Sequence, residues 1–242
     1  MEDPYNEDPY NQDLIDNLNE LHGLLLSEEA TMQDTLERVA KLACATLDGC
    51  DAAGVTLVED SEAITAAATN DFTLKIDRAQ YENDEGPCLQ AMRTQEVVLV
   101  EDIETDQRWP RFSEAAAKSG LKSSLSLPLT VRDRGVGSLN LYARTKKGFD
   151  DKSRSIGTLF ASQASVALSN GEVYAASLKL AQHLQEAIKS REVIGEAKGI
   201  LMEREGISDD DAFEMLKHIS QNTNMKLRDI AQRVVDEAVK KP

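Results

Sequence analysis

Hydrophobic and polar positions change their period several times along the chain. Leu14, Leu18, Leu21 and Leu25 recur at spacings of three and four, the signature of one helix face. A second helical stretch starts near Thr31, sets Met32, Leu36, Val39, Ala43 and Leu47 on one side and stops at Gly49. Strands follow. Residues 52–59 (AAGVTLVE) and 63–69 (AITAAAT) predict neighbours joined by Asp60-Ser61-Glu62, and 97–102 (VVLVED) predicts another strand. The clearest hairpin joins 123–133 to 135–145 through Asp133-Arg134-Gly135, and Pro128 in its first arm predicts an edge or a bulge. Residues 73–95 read as mixed, with a short helix from Pro87, and Pro110 to Ser119 predicts a helix ended by Gly120.

From Asp150 the helical period returns and runs to Gly206. Ile156, Leu159, Phe160, Gln163, Val166 and Ala167 form one amphipathic segment, continued by Val173, Leu180, Leu184, Ala187 and Ile194. Unbroken, this helix of about 55 residues would be about 80 Å long, with Gly171 and Gly195 as weak points. Its apolar stripe outruns one small sheet. A second helix must cover it, and the simplest source is a second copy of the chain. Arg191 to Val239 reads as three short helices separated by Gly206-Ile207 and by Asn222-Thr223-Asn224. The fold class is therefore α+β: an antiparallel sheet flanked by helices, then a long coiled-coil-like helix leading into a three-helix module.

Charge refines this picture. The 242 residues carry a net −16, so the chain as a whole repels nucleic acid. Residues 1–29 hold nine acids and no Lys or Arg, whereas residues 189–242 hold ten bases and eleven acids. Any RNA binding must come from local placement of cations. The acidic beginning could instead fold back on those cations and compete with RNA. Its EDPYN repeat, at 2–6 and 7–11, predicts a disordered tail over 1–13. That start is acidic where a secretory signal would be basic, and no apolar run is long enough to span a membrane, so a cytoplasmic protein without membrane contact is expected. Cys44, Cys50 and Cys88 have no zinc-like spacing. His22, His183 and His218 lie far apart and suggest neither metal site nor triad, and no P-loop or GxSxG occurs. No enzyme, metal or cofactor is expected.

Two stretches resemble known families. Arg191 and Ile194, the run Ala197 to Met202, Arg204, Ala212-Phe213, Leu216, Ser220 and the run Asn224 to Ala231 resemble the ANTAR module of bacterial antitermination regulators. That resemblance implies a three-helix domain, dimeric when active, gripping paired RNA hairpins with six-nucleotide loops and so preventing a terminator. Residues 84–112, 124–143 and the closing helix resemble a GAF sensor domain. Cyclic-nucleotide GAF domains carry Asn-Lys, then Phe, then Asp-Glu. Here Leu141 follows Asn140, and Ser153-Arg154 stands where the acidic pair would be, which argues against that ligand. The implied organisation is an acidic tail (1–13), an N-terminal helix (14–29), a GAF domain (30–170), a helical linker or coiled coil (171–189) and an ANTAR domain (190–242).

The residues expected to meet RNA are Arg191, Ala197, Lys198, Gly199, Met202, Arg204, Ser220, Asn224, Lys226 and Arg228. Arg191 and Lys198 lie two turns apart on one face that they share with Gly195 and Met202. Arg reads guanine with a two-point bond, Lys acts mainly on phosphate, and amides such as Asn224 read unpaired bases. The bland alternative is a solvated face. Gly195 and Gly199 cost about 1 kcal/mol each relative to Ala, which close packing against Phe213 or a partner chain, or close RNA approach, would explain. Ser208 with Asp211 is a helix start whose acids the RNA should avoid. In the GAF region Cys88, Trp109 and Asn140 are candidates for an unknown small-molecule pocket. Cys88 at a helix N-terminus reads as a redox residue or as small buried packing. A competing function is a cysteine-dependent redox enzyme or sensor, which requires Cys88 to approach Cys44 or Cys50.

Overall fold

The computed structural model describes residues 9–25, 27 and 30–239. It divides into two units, Met1–Glu172 and Val173–Pro242. The first eight residues of the expected acidic tail lie outside the described residues. Helix α1 (Pro9–Leu25) begins five residues ahead of the expected start, at a proline suited to a first helical turn. Helix α2 (Met32–Thr46) opens on a capping box: the Thr31 hydroxyl accepts from the Asp34 amide, and the Asp34 carboxylate accepts from the Thr31 amide.

The first unit is built on a five-stranded antiparallel sheet, order β2-β1-β5-β4-β3, formed by β1 (Ala52–Glu59), β2 (Glu62–Ala68), β3 (Val98–Val100), β4 (Ser123–Val131) and β5 (Arg134–Ala143). Two tight turns hold it. Asp60 and Ser61 join β1 to β2, and Arg132 and Asp133 join β4 to β5, all four at positive φ as twisted hairpins require. The second turn sits one residue earlier than expected. Pro128 is not on an edge strand. It pairs with Ser138 of β5, while three-residue β3 reaches only Ser124 to Ser126. The missing amide is tolerated there, and a register shift follows at Leu129/Thr130.

The sheet has two unlike faces because side chains alternate along each strand. Val55, Leu57, Leu125, Leu127, Leu129, Leu139 and Leu141 form an apolar face with Leu21 of α1, Leu36 and Val39 of α2, and Ile156 and Phe160. The other face carries Thr56, Ser124, Ser126, Ser138, Asn140 and Tyr142, all buried. Helix α3 (Asp71–Asn83) belongs to that side, since a Cβ at Gly54 would stand 2.5 Å from Thr73 Cγ2 and 3.4 Å from Asp77 Oδ2. Sequence periodicity missed α3 because it buries Thr73, Asp77 and Gln80 beside Phe72, Ile76 and Ala79. Its start was legible in Asn70, whose side chain caps the Phe72 and Thr73 amides. Helices α4 (Pro87–Thr94) and α5 (Pro110–Lys118) both open on proline.

Helix α6 runs unbroken over Asp151–Glu205, 55 residues, straight through Gly171 and Gly195. Gly206, at φ +66, ends it. Helices α7 (Asp209–Thr223) and α8 (Leu227–Val239) follow. In the second unit Ala197, Leu216, Ile230 and Ala231 form a small closed core, with Val193, Ile194, Leu201, Met225, Leu227, Val234 and Val235 packed against it. No helix among the described residues is long and apolar enough to cross a membrane.

Candidate nucleic-acid interface and sensor site

The second unit sorts the ten expected RNA residues into different roles. Ala197 is fully buried in the core, so RNA cannot touch it; it packs the three helices together. The Ser220 hydroxyl donates to the Met225 carbonyl across the α7–α8 turn, which makes it a turn-closing group. Arg191, Gly199, Met202, Arg204, Asn224, Lys226 and Arg228 are exposed. At about 100° per residue, Arg191, Gly195, Lys198, Gly199 and Met202 share one stripe of α6, whereas Arg204 falls well off it, at the angle of the core residues Val193 and Ala197 and past the end of that core.

Lys198 is not a free cation. Its Nζ donates to Asp209 at 2.6 Å and lies 6.0 Å from the centre of the Phe213 ring. The α7 N-terminus was expected only as a structural acidic end; it also neutralises the central lysine of the stripe. Ser208 caps that end by accepting from the Asp211 amide. Gly195 and Gly199 meet nothing: a Cβ at either would find no atom within 4 Å. Close packing against Phe213 therefore does not explain them.

The second group gathers at the α7–α8 turn. Asn224 ends α7 in the left-handed conformation, φ 52, with its backbone N–H donating to the Ser220 carbonyl. The Lys226 carbonyl accepts from the Asp229 and Ile230 amides and so starts α8. Lys226 and Arg228 thus flank a helix N-terminus, where backbone amides favour phosphate. Arg228 has Asp229 at 3.4 Å, an exposed pair of small worth. Arg191, Arg204 and Lys226 make no ion pair among the described residues. Asp209 and Asn224 bracket α7, so Lys198 and the turn stand about 20 Å apart along that helix.

In the first unit, Cys88 and Asn140 converge and Trp109 does not join them. Asn140 Nδ2 donates to Thr56 Oγ1 at 2.9 Å, and the Cys88 thiol lies beside Thr56. The network continues through Tyr81 and Thr65 to Asp77, which also accepts from Tyr142. Gln80 ties it to α4: its Nε2 donates to Tyr142 Oη at 3.1 Å and its Oε1 accepts from the Cys88 amide at 2.9 Å. Burial pushes the Asp77 carboxyl up to about 6, against the lowering effect of its two hydrogen bonds. Burial and then the Asp77 charge push the Cys88 thiol far up, so it is not an activated nucleophile. Ser124 Oγ, Ser126 Oγ, Ser138 Oγ and Asn140 Oδ1 are buried without a hydrogen-bond partner. Trp109 packs among Phe72, Ile76, Phe112 and Tyr142, with the Arg108 guanidinium over its ring. Two surface cavities, one near Asp48 and Asp150 and the other near Asp102 and Arg108, are lined by none of Cys88, Trp109 and Asn140.

The expected approach of Cys88 to Cys44 or Cys50 is not formed. Cys88 lies on the Thr56 side of the sheet, whereas Cys44 and Cys50 pack against the apolar cluster that holds Val55 and Leu57. The sheet stands between them.

Comparison with known proteins agrees with both units. The GAF domain family matches residues 29–169 and the ANTAR domain family matches residues 182–235. No curated protein matches the chain. Among solved structures, the GAF domain of an Acinetobacter phosphoenolpyruvate-protein phosphotransferase superposes with a TM-score of 0.54 at 14% identity, covering 69% of this chain and 96% of its own. A GAF sensor protein from Burkholderia vietnamiensis gives 0.53 at 17%, covering 64% and 93%. A free methionine-R-sulfoxide reductase from Neisseria meningitidis, in complex with its substrate, gives 0.52 at 16%, covering 68% and 91%. At such identities these likenesses show the shared fold alone. With its sheet, flanking helices and family match over more than half its length, the chain belongs to the GAF domain family, and it carries an ANTAR domain after the GAF domain.

Proposed function

We propose that the chain is a cytoplasmic antiterminator that works as a homodimer, its two ANTAR units gripping a pair of RNA hairpins with six-nucleotide loops while a small ligand at the GAF domain controls the grip. The domain pair supports a GAF-regulated, RNA-binding antitermination protein. One observation carries the finer reading. A closed core of Ala197, Leu216, Ile230 and Ala231 leaves Arg191, Lys226, Arg228 and Asn224 exposed for a partner. The cations engage phosphate, and Asn224 reads an unpaired base.

Residues 172–189 of α6 are exposed throughout. Val173, Leu180, Leu184 and Ile188 are each about half exposed or more, on a stripe that a second α6 would cover. Two weak hairpin contacts then act as one strong contact through effective concentration. The unpartnered polar atoms beside Cys88 and Asn140 support a small polar ligand there as the signal.

The test is binding of the 242-residue chain to RNA with one or two six-base-loop hairpins, beside a Lys226→Ala, Arg228→Ala variant. The expected result is much tighter binding of the double hairpin and a loss of tenfold or more in the variant. Equal affinity for one and two hairpins in both proteins would overturn the reading.

A further inference from the structure

Cys44 and Cys50 are the two thiols that the sensor core leaves only partly buried, and neither takes part in the buried network. They are six residues apart, yet the chain folds them together. Cys44 sits in the last turn of α2, Leu47 ends that helix, and Gly49 at φ +78 reverses the backbone. The Cys50 amide donates to the Leu47 carbonyl at 3.1 Å. Cys44 Sγ thereby donates to the Cys50 carbonyl at 3.5 Å, and the two thiols lie near enough for each to shift the titration of the other. Cys50 Sγ lies 3.3 Å from the Ala52 carbonyl, at the head of β1.

The pair is chemically unequal. The Cys50 side chain lowers the Cys44 thiol, outweighing burial and the Asp51 charge. The Cys44 side chain and burial raise the Cys50 thiol. Cys44 is the readier thiolate and Cys50 the proton-holding neighbour. Cys88 is the reverse of both, buried and across the sheet.

We propose that Cys44 and Cys50 form a peroxide-oxidisable dithiol, in which Cys44 is the attacking sulfur and Cys50 the resolving sulfur. The Cys44 thiolate attacks one oxygen of hydrogen peroxide. The O–O bond breaks, hydroxide leaves and is protonated to water, and Cys44 becomes a sulfenic acid. Cys50 sulfur then attacks Cys44 sulfur, the S–O bond breaks, Cys50 gives up its proton, and a second water leaves. Two electrons pass from the sulfurs to peroxide, and the α2 end is tied to the head of β1. Neither thiol belongs to the RNA-facing residues of the second unit or to the polar face of the sheet.

The experiment treats the intact chain with hydrogen peroxide under native conditions, counts free thiols by alkylation in denaturant and maps linked peptides by mass spectrometry. The expected result is a fall from three thiols to one, with a Cys44–Cys50 linked peptide and Cys88 reduced. Cys50→Ser should accumulate a dimedone-reactive sulfenic acid at Cys44, and Cys88→Ser should form the same disulfide as the parent chain. If either variant misfolds, peptide mapping of the parent chain decides alone. Linkage through Cys88, linkage only between copies, or retention of all three thiols at peroxide doses that oxidise free cysteine would each overturn the proposal.

Discussion

Asp77→Asn tests the buried polar face of the GAF sheet. Asp77 is fully buried, and desolvation raises its carboxyl from 3.8 to about 6 despite hydrogen bonds from Tyr142 and Thr65. That shift corresponds to about 3 kcal/mol of penalty on the ionised form. Because the folded-state pKa lies above the unfolded value, protonation contributes stability that is complete below about 3.8 and is lost as the pH rises through about 6. Between pH 7 and pH 5 the parent chain should therefore gain about 1.3 kcal/mol from this group. Asn keeps an acceptor for Tyr142 and cannot titrate. Trp109 is the sole tryptophan and sits in this unit's core, so its fluorescence in urea reports unfolding of the sheet. Comparing the two proteins at both pH values cancels every other titrating group. The Asn variant's advantage should be larger at pH 7 than at pH 5 by about 1.3 kcal/mol. An advantage that is the same at both pH values would refute the argument.

Three further outcomes concern the ANTAR unit. Gly195→Ala and Gly199→Ala meet open space, so each should stabilise α6 by about 1 kcal/mol in circular-dichroism melts while weakening hairpin binding; unchanged binding would remove these glycines from the interface. Asn224→Gly should preserve the fold, since glycine suits the left-handed cap, yet cost hairpin affinity, whereas Asn224→Ala should also lose about 1 kcal/mol of stability; full binding by the glycine variant would reduce Asn224 to a cap. Asp209→Asn releases Lys198 and should tighten binding at low salt, steepening the salt dependence by about one phosphate contact; an unaltered slope would mean Lys198 does not face RNA.

What the sequence alone determined was the succession of elements. Period and punctuation are local properties: Thr31, Pro87, Pro110, Gly120 and Gly206 mark helix ends by their own backbone chemistry, and alternation marks the β4–β5 hairpin. The motif residues were equally legible, because the family match runs along consecutive positions. Helix α3 was lost to this reading, since a helix that buries Thr73, Asp77 and Gln80 shows no clean apolar stripe. Tertiary structure alone decided which residues serve the core and which remain for a partner. Ala197 turned inward, Ser220 was spent on a turn, and Lys198 was claimed by Asp209. It also joined Tyr142 to Asp77 across 65 positions, and put Cys88 on one side of the sheet and Cys44 with Cys50 on the other. Such contacts depend on how separate elements pack, and a burial penalty such as that on Asp77 exists only once the packing has removed water.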